Sequence, residues 1–128
     1  MRFLLDTHTL LWSINDSPSL SPRARRFIED GSNEILVSAA SAWEIATKVR
    51  LGKLPTGDEL IADLDRYLAQ MRCEALPVSI DHAVRAGRLS GEHRDPFDRM
   101  LIAQAQAENL AIISSDRIFD TYHVQRIW

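Results

Sequence analysis

The chain of 128 residues has little of what marks a specialised scaffold. It has one cysteine, which excludes a disulfide framework, and no CxxC or paired Cys/His spacing to hold a structural zinc. Glycine and proline number five each and never cluster, so no linker divides the chain. No repeat or low-complexity stretch is present. The expectation is a single domain spanning residues 1–128 with one fold. Long hydrophobic runs are also missing. The opening MRFLLDTHTLLW is interrupted by Asp6 after a few apolar residues, too early for a signal segment or a membrane span. A cytoplasmic chain that makes no membrane contact is expected. Lysine is scarce: of 15 basic side chains, 13 are arginine. Arginine's planar fork suits bidentate contacts to phosphate or carboxylate, although codon bias in a GC-rich genome gives the same count. The formal charge of −3 argues against a nucleic-acid binder that relies on a broad positive surface.

What is present is an ordinary globular balance, 45% hydrophobic against 26% charged, which excludes disorder. RFLL, EILVS, CEALPV, 110–114 and 124–128 read as strands. Helical patterns lie between them, at 9–14, 22–30, AASAWEIATKVR, 58–71, 81–89 and from DPFDRMLIAQAQAEN onward. Ser21 and Pro22 mark one helix start, Asp95 and Pro96 another, and Gly52 a helix end. The 58–71 segment reads as one amphipathic helix with Leu60, Ile61, Leu64, Leu68 and Met71 on one face. Strands alternating with helices predict a three-layer α/β/α sandwich around a parallel sheet of four to five strands. In such sheets ligands bind beyond the carboxyl ends of the strands.

Four acids fall near that edge. Asp6 ends the first strand, and Glu44 lies in the helix after the second. Asp98 lies in the first turn of the helix before the fourth strand, and Asp116 closely follows that strand. Convergent carboxylates repel one another and are costly to bury unless a cation neutralises them. All-oxygen ligation suits Mg²⁺ or Mn²⁺. Each acid also has a plain structural reading. Asp6 can cap the next helix, Glu44 can pair with Lys48, and Asp116 can be a turn residue. Asp95 is better read as a cap than as a site residue, although it shares a helix face with Asp98.

The segments LLDTHTLLW, SAASAWEIATKVRLGKL, HRDPFDRMLIAQA and IISSDRIFDTY, in this order, closely resemble the PIN-domain ribonucleases. Within them they resemble the toxins of virulence-associated (VapC-type) type II toxin–antitoxin modules, from Arg2 to Trp128. The resemblance implies a PIN-like fold with Mg²⁺ or Mn²⁺ in an acidic cluster. It also implies an RNA substrate, a homodimer and a cognate antitoxin whose peptide covers a groove near the site. Asp6 matches the first family acid and principal metal ligand, Glu44 the second, Asp98 the third, again a metal ligand, and Asp116 the fourth. Ser114 stands where the family often has a small hydroxyl residue.

The implied chemistry is hydrolysis of an RNA phosphodiester by a metal-activated water. Asp6 and Asp98 would hold the metal, with Glu44 and Asp116 acting through water or on a second ion. Glu44 has the alternative role of orienting or deprotonating the nucleophile. Arg94, Arg99 and Arg117 are candidates to grip phosphate. Trp12, Trp43 and Trp128 are candidate partner anchors, and core packing is the expected place of Trp43. A rival reading is a phosphoacceptor module with an acidic metal pocket. It requires a lysine at a late strand end, and the chain's lysines, Lys48 and Lys53, lie far upstream. An aspartate-nucleophile phosphatase requires a second Asp where THT follows Asp6. A non-catalytic binding protein would use these acids only as caps. Without the four site acids the formal charge is −3 + 4 = +1, so the acidic balance weighs little against a nucleic-acid substrate.

Overall fold

The computed structural model of the protein describes every residue except 56 and 94. Five strands form the sheet: β1 (Arg2–Leu5), β2 (Glu34–Ser38), β3 (Cys73–Leu76), β4 (Ala111–Ile113) and β5 (Arg126–Ile127). All neighbours are parallel, in the order β3-β2-β1-β4-β5. Central β1 places Leu4 opposite Leu36 on one side and Ile112 on the other. Its apolar run is continuous because both faces are covered. Phe3, Leu5, Ile35, Val37 and Ile113 point into one core, and Leu4, Leu36 and Ile112 into the other.

Helices α1 (Thr7–Ile14) and α2 (Pro22–Glu29) cover the first core through Leu10, Leu11 and Ala24. Ile45 of α3 (Ala39–Arg50) joins them. The second core is closed by Leu101, Ile102 and Ala105 of α7 (Pro96–Ala107) and Phe119 of α8 (Ile118–Thr121). Helix α6 (Ile80–Arg88) packs on α7. Helix starts follow their capping residues. Ser21 Oγ accepts from Ala24 N at 3.0 Å, with Pro22 at the first position. Asp95 Oδ1 accepts from Phe97 N at 2.9 Å and Asp98 N at 3.2 Å. Gly52 ends α3 at φ +71, a conformation that suits glycine.

The 58–71 segment departs from its expected form. It is two helices, α4 (Gly57–Ala62) and α5 (Leu64–Gln70), interrupted at Asp63 (φ −112, ψ 13). Aspartate favours helix ends over interiors, and the Asp63 carboxylate takes Arg66 at 3.0 Å. The break keeps Leu60, Leu68 and Met71 on the first core and leaves Ile61 exposed. β3, β4 and β5 are also shorter than expected; at β4 the Leu110 amide turns back to Ala105 O at 2.9 Å, closing the end of α7. Among the described residues no helix is long and apolar enough to cross a membrane.

The strand order fixes where a site can form. From β1 the chain builds outward through β2 to β3, then crosses back to place β4 on the other side of β1. The connections leaving the carboxyl ends of β1 and β4 therefore diverge. The crevice between them is where open α/β sheets bind ligands.

Candidate functional site

Asp6 sits in that crevice. Its amide donates to Ile113 O at 3.2 Å, continuing the β1–β4 ladder by one residue. It occupies the N-cap position of α1, but its side chain makes no capping hydrogen bond. Instead Ser114 Oγ, fully buried at the end of β4, donates to Asp6 Oδ2 at 2.7 Å. The carboxylate is only 5% exposed. Burial pushes its pKa up, relieved in part by the Ser114 hydroxyl and by His8, and reinforced by the charge of Glu44. Hydroxyls fasten the strand end around it. Thr7 Oγ1 donates to Ser41 Oγ at 2.9 Å, joining α1 to α3, and Thr9 Oγ1 donates to Ile113 O at 2.8 Å.

Glu44 is equally buried, on the inner face of α3, and takes Lys48 Nζ at 2.7 Å one turn on. The expected pairing is present, and it does not remove Glu44 from the site: its charge acts on Asp6. Asp98 lies in the first turn of α7 with its Oδ2 at 2.9 Å from His93 Nε2. Its pKa is raised to about 6. Burial is the main cause, His93 opposes it, and the charges of Asp95 and Asp6 add to it. Asp6, Glu44 and Asp98 therefore share one electrostatic environment, reached from β1, α3 and α7.

Asp116 is placed differently. It is exposed, its Oδ1 accepts from Ile118 N at 3.0 Å, and its amide donates to Ser114 Oγ at 2.9 Å. It opens the turn into α8 and reaches Asp6 through the Ser114 hydroxyl. Asp95 is the cap, as expected; it accepts from the Asp98 amide and its charge acts on the Asp98 carboxyl.

The arginines and Trp43 also fall into place. Arg99 donates to Leu89 O and to His93 O, so its guanidinium holds the loop before α7 and does not reach outward for phosphate. Arg117 is exposed beside Asp116. Arg94 lies outside the described residues. Arg126, which was not singled out in the sequence, donates to Ser114 O at 3.1 Å and grips Asp120 at 3.0 Å. Trp43 is not in the core: it is 62% exposed and meets Phe97 edge-to-face at 4.9 Å. Glu44 takes the inward position on α3, which turns the preceding residue outward. Trp12 and Trp128 are half-buried and pack against each other with centroids 5.7 Å apart and planes tilted by 54°.

His93 and the hydroxyls of Thr7, Thr9 and Ser41 are contributors that the sequence reading passed over. The one available signal was the density of Ser and Thr around each acid. Among the described residues, no three His, Cys, Asp or Glu side chains are grouped tightly enough to cage a metal by themselves. The donor set is nevertheless all oxygen, buried, and internally repulsive. It fits a hard cation that keeps several waters and takes only one or two carboxylates directly.

Fold and site together define a parallel α/β domain whose switch-point crevice is lined by carboxylates. The PIN domain family model matches residues 3–124, and the chain belongs to that family. Over 64 residues the chain is 48% identical to Ribonuclease VapC16 of Mycobacterium tuberculosis; the match covers 50% of this chain and 44% of that protein. The fold is shared with VapBC2 from Rickettsia felis, solved bound to a DNA fragment from their promoter, with TM-score 0.72 at 19% identity. That similarity covers 99% of this chain and 98% of the other. It is also shared with FitAcB from Neisseria gonorrhoeae, with TM-score 0.68 at 19% identity over 98% and 96% of the two chains. VapBC-1 from nontypeable Haemophilus influenzae gives 0.70 at 14%, over 99% and 97%. At such identities these structures speak to the fold alone.

Proposed function

We propose that the protein is a metal-dependent ribonuclease that hydrolyses RNA phosphodiester bonds and acts as the toxin of a toxin–antitoxin pair. The carrying observation is Asp6: a buried carboxylate in a capping position that does not cap, aimed into the switch-point crevice beside Glu44 and Asp98. Membership of the PIN family and the partial identity with a VapC ribonuclease support the reading.

Asp6 and Asp98 are the residues we assign to hold Mg²⁺, with Mn²⁺ as the alternative. When bound, such an ion would neutralise the carboxylates, polarise a phosphoryl oxygen and make a water easier to deprotonate. The protein's own groups do the rest. Ser114 and His93 fix the orientations of Asp6 and Asp98 by hydrogen bonds at 2.7 Å and 2.9 Å. Lys48 holds Glu44, which orients or deprotonates the attacking water or acts on the ion through water. We assign Asp116 a contribution from the rim and Arg117, exposed beside it, a contact with phosphate. A cognate antitoxin, a homodimer and a cytoplasmic location complete the proposal.

The test is RNA cleavage by purified protein with and without EDTA, and by Asp6→Asn and Asp98→Asn variants that stay folded. Cleavage is expected to need the metal and both carboxylates. Persistence in EDTA, or in both variants, refutes the assignment.

A further inference from the structure

We infer that Trp43, braced by Phe97, is the surface on which an unpaired RNA base stacks while a neighbouring phosphate lies at the carboxylates. The inference rests on the ribonuclease reading above and adds to it a base-stacking subsite carried by this chain's own Trp43 and Phe97.

The first argument is position. Trp43 immediately precedes buried Glu44 on α3, and Phe97 immediately precedes Asp98 on α7. Each helix that carries an acid into the crevice thus carries a ring to its rim. The two rings meet with centroids 4.9 Å apart and planes at 75°. Phe97 is half-buried and fixes the pair, while the indole is left 62% exposed. The exposed indole presents a flat aromatic surface held in place by Phe97.

The second argument is charge. RNA affinity usually comes from cations that neutralise phosphates. Here Lys48 is held by Glu44, Arg99 by two backbone carbonyls, and Arg126 by Asp120 and Ser114 O, while Arg117 is exposed beside Asp116. The formal charge is −3. Stacking on an aromatic face needs no positive charge and tolerates any base, and it is open only to bases that are not already paired and stacked.

The third argument concerns the rival occupant, a second protein surface. On the outer face of α3, the residues one and two turns beyond Trp43 are Ala46, Thr47 and Arg50. Beyond the Trp43–Phe97 pair the next large apolar side chain exposed along this helix is Leu51, two turns away, so the apolar surface is interrupted, whereas a stable protein interface needs roughly 800 Å² from each partner.

The experiment compares wild type with Trp43→Phe, Trp43→Leu and Trp43→Ala. A labelled, randomised single-stranded RNA oligonucleotide is the probe. Binding is measured in Ca²⁺ and cleavage in Mg²⁺, and size-exclusion chromatography is run on each variant. Leu and Ala are expected to raise the apparent Kd and KM by about 5- to 150-fold, the equivalent of about 1–3 kcal/mol for one stacked base. They should change kcat much less. Phe restores binding, and RNA quenches tryptophan fluorescence in wild type but not in the Phe variant. If Leu binds as well as wild type, or if the Ala variant loses binding only as it loses its oligomeric state, the inference is overturned. Wild type that cleaves RNA with no effect of Trp43 refutes this inference alone. Wild type that neither binds nor cleaves RNA refutes the ribonuclease reading itself.

Discussion

Replacing Asp98 by Asn should stabilise the metal-free protein at neutral pH and weaken it relative to wild type once Mg²⁺ is added. The carboxyl is raised from 3.8 to about 6, chiefly by burial. Below about pH 4 it is protonated in folded and unfolded chains alike, and its charge costs nothing. Between about pH 4 and 6 the unfolded chain releases the proton that the folded chain retains, so stability falls as pH rises. Above about 6 the full penalty is present, at most about 3 kcal/mol at roughly 1.4 kcal/mol per pH unit. The side chain is 16% exposed, so water relieves part of this, and about 1–2 kcal/mol is the expected effect. Asn has the same shape and can still bond His93, but it carries no charge. In EDTA at pH 7.5, Asp98→Asn should therefore unfold at higher urea than wild type, and its Tm should rise by several degrees. The gap should close as pH is lowered towards 4. Saturating Mg²⁺ should reverse the order, because wild type gains binding free energy that the variant loses. Mg²⁺ affinity itself should fall as pH drops through about 6, since the ion competes with the proton. A variant no more stable than wild type in EDTA at pH 7.5, or a gap independent of pH, would refute the claim that this carboxylate is held under electrostatic strain.

Two further substitutions separate the roles of neighbouring residues. Ser114→Ala removes the hydroxyl on Asp6 Oδ2 and should push that carboxyl's pKa further up. Mg²⁺ affinity should fall by about 10- to 100-fold in calorimetric titration, and unchanged affinity would exclude Ser114 as the group that orients Asp6. Asp95→Ala should lower stability by about 1 kcal/mol in urea titration through loss of the α7 cap, with Mg²⁺ affinity nearly unchanged. A loss of affinity matching that of Asp98→Asn would make Asp95 a ligand instead.

Much of this was legible in the sequence, because the signals were local. RFLL and EILVS are continuous apolar runs, as strands covered on both faces must be. Ser21-Pro22 and Asp95-Pro96 state their helix starts through capping chemistry. The acids' edge followed from the general rule for parallel sheets, and Asp6, Glu44 and Asp98 do share an environment there. What was hidden depends on three-dimensional detail. The break at Asp63 is a single residue in an otherwise helical pattern. Whether Arg99 reaches solvent or turns back to Leu89 and His93 is decided by the loop that α7 packs beneath. Trp43 was misassigned because hydrophobicity alone puts tryptophan inside, whereas helical phase, with Glu44 turned inward, puts it out. His93 carried no recognisable spacing to Asp98.

The Ser114–Asp6 hydrogen bond joins residues 108 positions apart. Neither side chain can find the other until β4 has slotted in beside β1, a pairing whose loop closure makes it among the slower contacts to form. A chain still being synthesised carries Asp6 long before it carries the Ser114 hydroxyl that orients it. The same arrangement that puts the carboxylates at the sheet's switch point thus delays their assembly, so that any chemistry performed there begins only once β4 has paired with β1.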